Sequence, residues 1–162
     1  MAIIYCDMDG VLADFKAAAQ RTTGMSINKW MNIPSSREKW SLIKKKKDFW
    51  HTLPWMPGGK QLWSYISKHD PHILSAYVEE SFDPNCIPGK TAWLRRNAGM
   101  TNSSKINLVR RKEKKLFARK GKPSILIDDY EKNVREFIAA GGKGIHHTNT
   151  SKTIAELKRL GF

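Results

Sequence analysis

The sequence predicts an α/β fold: an open, mainly parallel, Rossmann-like sheet flanked by helices, with a small helical cap inserted after the first strand and helix. Three observations carry this expectation. Short runs at 2–6, 72–76, 105–109, 124–127 and 143–147 are apolar through their middles rather than alternating, as strands covered on both faces require. Helical patterns lie between them, and strands alternating with helices imply right-handed crossovers and parallel pairing. The third observation is a break in that alternation. Residues 15–57 contain no strand-like run but hold Trp30, Trp40, Trp50 and Trp55, four of the six tryptophans.

Taken in order, the first run, Ile3-Ile4-Tyr5-Cys6, leads straight into Asp7-Met8-Asp9-Gly10. Leu12, Phe15 and Ala19 then share one helical face. The aromatic-rich segment 15–57 is expected to form the cap, its rings either making a small core of their own or facing a ligand. The α/β core resumes with Leu62 and Ile66 on one helix face, so the core comprises 1–14 and 58–162. Tyr130, Val134, Phe137 and Ile138 mark a further helix, stopped after Ala140 by Gly141-Gly142. Ile154, Leu157 and Leu160 mark the last one.

The bulk composition fits one domain with a small insertion. The chain has 162 residues and is 40% hydrophobic, enough to bury a real core. Cys6 and Cys86 make no disulfide framework, which points to a reducing cytoplasm, and Cys6 suits a buried strand as a small apolar residue. No apolar run approaches the roughly 18 residues of a membrane span, and no signal-peptide pattern opens the chain. A cytoplasmic protein without membrane contact is therefore expected. The 29 basic and 15 acidic residues leave a formal charge of +14. Such an excess favours nucleotides, nucleic acid or other phosphates as partners, although a solubilising surface would also account for it.

In open α/β sheets, function collects at the carboxyl ends of the strands. Asp7, Ser75 and Asp128 are each expected at such an end. The Asp-x-Asp start is shared with calcium-binding EF-hand loops, but counting from Asp7 puts Gly10 at position four and Ala18 at twelve. An EF-hand wants glycine at six and glutamate at twelve, so that reading fails. A second apolar strand ends in Asp128-Asp129. One such pair could be a helix cap, since aspartate caps well. Two pairs in one α/β domain are better explained by a shared divalent ion, with magnesium fitting the hard oxygen ligands. Ser75 can donate to a phosphate oxygen, and the basic segment 110–122 supplies cations, most of which also suit a solvated surface. His146-His147 has no ligand neighbours at metal spacing. Asp14 either supports the carboxylates from one turn away or is simply exposed.

The order Asp-x-Asp-Gly-Val, Ser, Lys, Asp-Asp, each at a strand end, resembles the haloacid-dehalogenase-type phosphatase superfamily. Within it, "DMDGVLADF", "FWHTLPWMPGG" (49–59), "HILSA" and "ILIDDYEKNVREFIAAGG" are similar to the 5′(3′)-deoxyribonucleotidases. The resemblance covers most of the chain. It implies Asp7 as nucleophile forming an aspartyl-phosphate, and Asp9 as general acid and then base. It implies magnesium held by the Asp7 carboxylate, the Asp9 carbonyl and Asp128, with Asp129 supporting through water. Ser75 and the Ala76 backbone would hold the phosphoryl oxygens, and a lysine would neutralise the transferring group, Lys114 ahead of Lys115. Phe49 and Trp50 match the aromatics that stack on the nucleobase, their other role being core packing of the cap. The implied activity is magnesium-dependent dephosphorylation of nucleoside, above all deoxyribonucleoside, 5′- or 3′-monophosphates. The strong basic charge, with Lys44–Lys47 just before Phe49, favours as an alternative a phosphatase of polynucleotide 3′- or 5′-ends. A non-catalytic nucleic-acid-binding protein on the same fold is a third reading, weakened by the full set of catalytic residue types.

Overall fold

Backbone pairing sorts the apolar runs into one five-stranded, all-parallel sheet in the computed structural model, which describes residues 2–119 and 121–162. The strands are β1 (Ile3–Cys6), β2 (His72–Ala76), β3 (Ile106–Val109), β4 (Ser124–Asp128) and β5 (Lys143–His146). The helices are α1 (Phe15–Thr23), α2 (Ile27–Met31), α3 (Ser36–Lys44), α4 (Gly59–Ser67), α5 (Cys86–Asn97), α6 (Glu131–Ala139) and α7 (Thr150–Arg159). The expected open α/β sheet flanked by helices is the fold the chain adopts. Met1 and, within the basic segment, Lys120 lie outside the described residues.

The spatial order is β3-β2-β1-β4-β5. The chain runs outward from β1 through β2 to β3, then returns to the other side of β1 for β4 and β5. The order therefore reverses between β1 and β4, and a crevice opens at their carboxyl ends. Asp7 extends the ladder beyond β1, its N–H donating to the Ile127 carbonyl at 2.9 Å. Asp128 closes β4.

Two compact units make up the described chain. The first holds residues up to 13, 55–76 and 102–162, and contains the sheet. All five residues of β4 are buried, each large aliphatic side chain there contributing about 1.5–3 kcal/mol. Tyr5, Leu74, Leu126 and Phe137 form one apolar cluster, with Phe117 edge-on to Tyr5 at 5.4 Å. The apolar face expected on α6 is narrower than the sequence suggests. Val134 and Phe137 are buried, but Tyr130 and Ile138 are half exposed. Successive helical positions turn by about 100°, so a stripe centred on Val134 and Phe137 leaves Ile138 at its edge.

The second unit comprises 14–54 and 77–101. Residues 77–101, assigned from the sequence to the α/β core, fold here with 14–54. The indole of Trp50 donates to Asp83 Oδ2 at 2.8 Å, and that of Trp93 to the Leu53 carbonyl at 2.7 Å. Gly89 lies so close that a Cβ there would meet Trp50 Cβ at 2.5 Å. Short helices need strong caps, and Asp14, Ser26 and Ser35 each accept a backbone N–H at the start of α1, α2 and α3. Asp14 is thus a cap of α1. Leu12, expected on the same helix face as Phe15, sits in the turn before it.

Phe15, Trp30, Trp40, Phe49 and Trp50 interlock as the core of this unit, ring centroids 5.0–6.0 Å apart. Such pairs add about 0.5–1.5 kcal/mol each beyond burial. Lys90, fully buried, places its ammonium 5.3 Å from the Trp50 ring centre. Among the described residues no helix is long and apolar enough to cross a membrane. Trp50→Phe would keep one aromatic ring in the core but lose the second ring's packing and deprive Asp83 of its indole donor. It should lower unfolding free energy by about 1–3 kcal/mol in urea titration, and an unchanged midpoint would show that the Trp50–Asp83 bond is dispensable.

Candidate active site

The turn after β1 explains why two aspartates and a glycine follow an apolar strand. Met8, Val11, Leu12 and Ala13 are all buried, so they anchor the turn while its polar residues stay at the sheet edge. The turn is closed by Leu12 and Ala13 N–H groups donating to the Met8 carbonyl at 2.8 and 2.9 Å, and by Gly10 N–H donating to the Ala13 carbonyl at 2.8 Å. Gly10 has φ +81°, a conformation that side-chain-bearing residues adopt at a cost. A Cβ there would also lie 2.1 Å from Asp129 Oδ2. Glycine is required because the second aspartate pair packs against this turn.

Lys114 joins the two strand ends. It lies on the 3-10 helix Arg111–Arg119, within the basic segment, and it is only 3% exposed. Its ammonium is 3.1 Å from Asp7 Oδ1 and donates to Asp128 Oδ2 at 2.8 Å. Burial pulls the Lys114 pKa down, but the charges of Asp7 and Asp128 and their hydrogen bonds outweigh it, so the group is held above the usual lysine value. Both carboxylates thus favour its charged form. Lys115, the neighbouring candidate, is exposed.

Asp7, Asp128 and Asp129 each present a carboxylate oxygen within 4.8 Å of the other two. Asp129 is pushed up to about 7, first by burial and then by the negative charges of Asp7 and Asp128. With all three carboxyl groups ionised, one ammonium leaves the cluster two positive charges short. The donors are hard oxygens, so the residues fit a divalent magnesium-type ion. Its holders would be the residues the resemblance implies, Asp7, Asp128 and Asp129, with Asp9 following in the same turn.

A further layer orients Asp128. Tyr130 N–H donates to its Oδ1 at 2.8 Å and Asn133 Nδ2 to its Oδ2 at 3.1 Å. The Arg111 guanidinium in turn donates to Asn133 Oδ1 at 2.9 Å and pairs with Glu136 at 3.4 Å. Sequence reasoning missed Asn133 and Arg111. The available signal was a polar Asn133 beside Val134 on the buried face of α6. His146 places Nε2 at 3.0 Å from the Asp129 carbonyl, and His147 pairs with the Thr153 hydroxyl at 2.7 Å.

Ser75 is fully buried near the end of β2, with Ala76 closing that strand. The structure thus brings Asp7, Lys114, Asp128 and Asp129 into one contact cluster at the carboxyl edge, where β2 also delivers Ser75 and Ala76. Phe49 and Trp50 take the core-packing role that the sequence also allowed: both side chains are only 1% exposed and pack in the aromatic core of the second unit, where Phe49 also borders a cleft.

The sequence matches no family model and no curated protein. Its fold, by contrast, is shared with solved hydrolases. The L-2-haloacid dehalogenase from Xanthobacter autotrophicus superposes with a TM-score of 0.58 at 14% identity, over 100% of this chain and 84% of that one. A putative beta-phosphoglucomutase from Bacteroides vulgatus gives 0.57 at 16% identity, over 96% and 80% of the respective chains. A haloacid-dehalogenase-family enzyme from Bacteroides thetaiotaomicron, in complex with magnesium and inorganic phosphate, gives 0.50 at 13% identity, over 90% and 93%. The chain therefore has the fold of the haloacid-dehalogenase-type hydrolases.

If the carboxylate cluster holds magnesium, an excess of the ion at about 100 times its dissociation constant should stabilise the protein by about 2.7 kcal/mol, read as a rise in Tm. Asp128→Asn should abolish that rise; an undiminished rise in the variant would place the ion elsewhere. Asn133→Ala should weaken magnesium binding about 10-fold or more, measured by titration calorimetry, because it frees the ligand it orients.

Proposed function

We propose that the chain is a magnesium-dependent phosphomonoesterase that dephosphorylates nucleoside monophosphates, deoxyribonucleotides foremost, through an aspartyl-phosphate on Asp7. The observation that carries this reading is Lys114 held between Asp7 and Asp128, a fixed cation beside a carboxylate nucleophile. Support for a phosphoryl substrate comes from what the sheet edge gathers: the Asp7 carboxylate, a buried cation and a strand-end serine. The nucleotide part of the reading rests on the resembling segments and on the charge of +14.

In the first half-reaction an Asp7 oxygen bonds to phosphorus as the ester P–O bond breaks. Asp9 donates its proton to the departing alkoxide. In the second, Asp9 takes a proton from water, whose oxygen attacks phosphorus and releases phosphate from Asp7. Lys114 stays protonated throughout and balances the charge gathering on the transferring group, while Ser75 and the Ala76 N–H hold its oxygens. When bound, magnesium would supply charge screening between carboxylate and phosphate, its holders being Asp7, Asp128, Asp129 and the Asp9 carbonyl. Such chemistry needs positioning and electrostatics more than covalent ingenuity.

A second reading, cleavage of phosphate from polynucleotide ends, is favoured by one feature. Lys112, Lys115 and Arg119 are exposed on the same 3-10 helix that buries Lys114. Phosphate release with magnesium from 5′- and 3′-mononucleotides and from a 3′-phosphorylated oligonucleotide separates the two. A nucleotidase should turn over the mononucleotides faster, at a rate changing little with salt. Preference for the oligonucleotide, falling steeply between about 50 and 200 mM salt, would transfer the assignment to the second reading.

Substitutions test the roles. Asp7→Asn should lower kcat by about four orders of magnitude or more. Lys114→Ala should cost about 100- to 1,000-fold. Lys115→Ala should stay within about twofold of the native rate, since it is exposed; equal losses at 114 and 115 would contradict the assignment.

A further inference from the structure

The reaction above leaves the lysine run 44–47 without a task. In the helical unit the C-terminal ends of α1 and α3 border a cleft of about 790 Å³, within the roughly 300–1,000 Å³ range of ligand sites. Arg21, Lys45 and Lys46 line it, and no carboxylate does. Among the described residues no acidic group pairs with Arg21 or Lys45. Lys46 reaches Asp48 at 3.6 Å, but both groups are about half exposed, and such pairs are worth about 1 kcal/mol or less. The half-buried Leu42 and Pro54 supply apolar wall, and Thr22 adds a hydroxyl.

Cations at helix C-termini have an ordinary explanation, since they complement the helix dipole for about 0.3–1 kcal/mol each. That covers Arg21 in the last turn of α1 and Lys44 in the last turn of α3. It does not cover two helix ends lining one concavity with cations, nor Lys46 and Lys47, which lie beyond α3. Like charges gathered around a cleft repel one another, and a bound polyanion relieves that repulsion.

We propose that this cleft binds single-stranded nucleic acid, with successive phosphates against Arg21, Lys45 and Lys46 and the sugar edges against Leu42 and Pro54. A strand fits better than a single nucleotide. One phosphate would engage only part of a cation set that continues into the exposed Lys44 and Lys47. A duplex is too broad and stiff to enter a concavity of this volume. The inference rests on the cleft alone and is independent of the phosphatase reading.

The test is fluorescence anisotropy of a short fluorescein-labelled oligo(dT) with the full chain, in EDTA so that phosphate chemistry plays no part. Binding should weaken by about 20-fold between about 50 and 200 mM salt, as three single-strand phosphate contacts imply. The combined Arg21→Ala, Lys45→Ala, Lys46→Ala variant should bind at least about 10-fold more weakly and lose about two units of salt slope. Removing the same charge from exposed positions of the sheet-bearing unit, by Lys132→Ala, Arg135→Ala and Lys152→Ala, should change affinity by less than about twofold. Lys45→Glu alone, at an exposed position of the cleft wall, should move binding the same way as the cleft triple. Equal weakening by both triples would overturn the proposal, because binding would then follow net charge. So would absence of binding at the lower salt, or displacement of the strand by dTMP at equal nucleotide concentration.

Discussion

The sheet-bearing unit depends on one buried ion cluster, the Lys114 ammonium between Asp7 and Asp128. Two carboxylates at the ends of adjacent parallel strands would repel each other in a dry environment. Lys114 turns that repulsion into attraction and also neutralises one of the charges that a metal would otherwise have to balance alone. Removing one partner from such a buried arrangement typically costs about 3–5 kcal/mol, because the remaining charges are left uncompensated. Fold stability and the proposed chemistry would thus be coupled at these three side chains. Asn133 and Arg111 extend the cluster toward the surface and fix Asp128 in one orientation.

Topology explains why this cluster forms where it does. The reversal of strand order between β1 and β4 leaves their carboxyl ends uncovered by any crossover between them. The residues with no place in a core, Asp7 and Asp128, emerge at that gap. Gly10 then turns the chain away at φ +81° without filling the space that Asp129 occupies. The helical unit solves a different problem. It has no sheet among the described residues, so its stability comes from interlocked rings and from the indole N–H groups of Trp30, Trp50 and Trp93, which donate to Lys39, Asp83 and Leu53.

Much of this was legible in the chain because strands buried on both faces write their burial directly as apolar runs. The strand ends and the two aspartate pairs could be placed from that pattern, whereas it left Lys114 and Lys115 both open and only burial separates them. Three features could not. Nothing in the periodicity shows that 77–101 folds with 14–54, since that depends on Trp50 reaching Asp83 and Trp93 reaching Leu53, partners 33 and 40 residues apart. The burial of Phe49 and Trp50 follows from ring packing among five aromatics, and sequence spacing alone leaves core and ligand-facing roles equally open. Arg111 and Asn133 act through hydrogen bonds across 22 residues, with no local motif to mark them.

The claim at the centre is that Asp7 is the phosphoryl acceptor and that Lys114 and the Asp128 side of the cluster serve it. A crystal structure with magnesium and beryllium trifluoride, a mimic of an acyl phosphate, tests this most directly. Beryllium should bond to an Asp7 carboxylate oxygen, with a fluoride within hydrogen-bond reach of Lys114 and the metal against Asp7 and Asp128. Beryllium on Asp9 or Asp129, or none on any carboxylate with the metal bound, would contradict it.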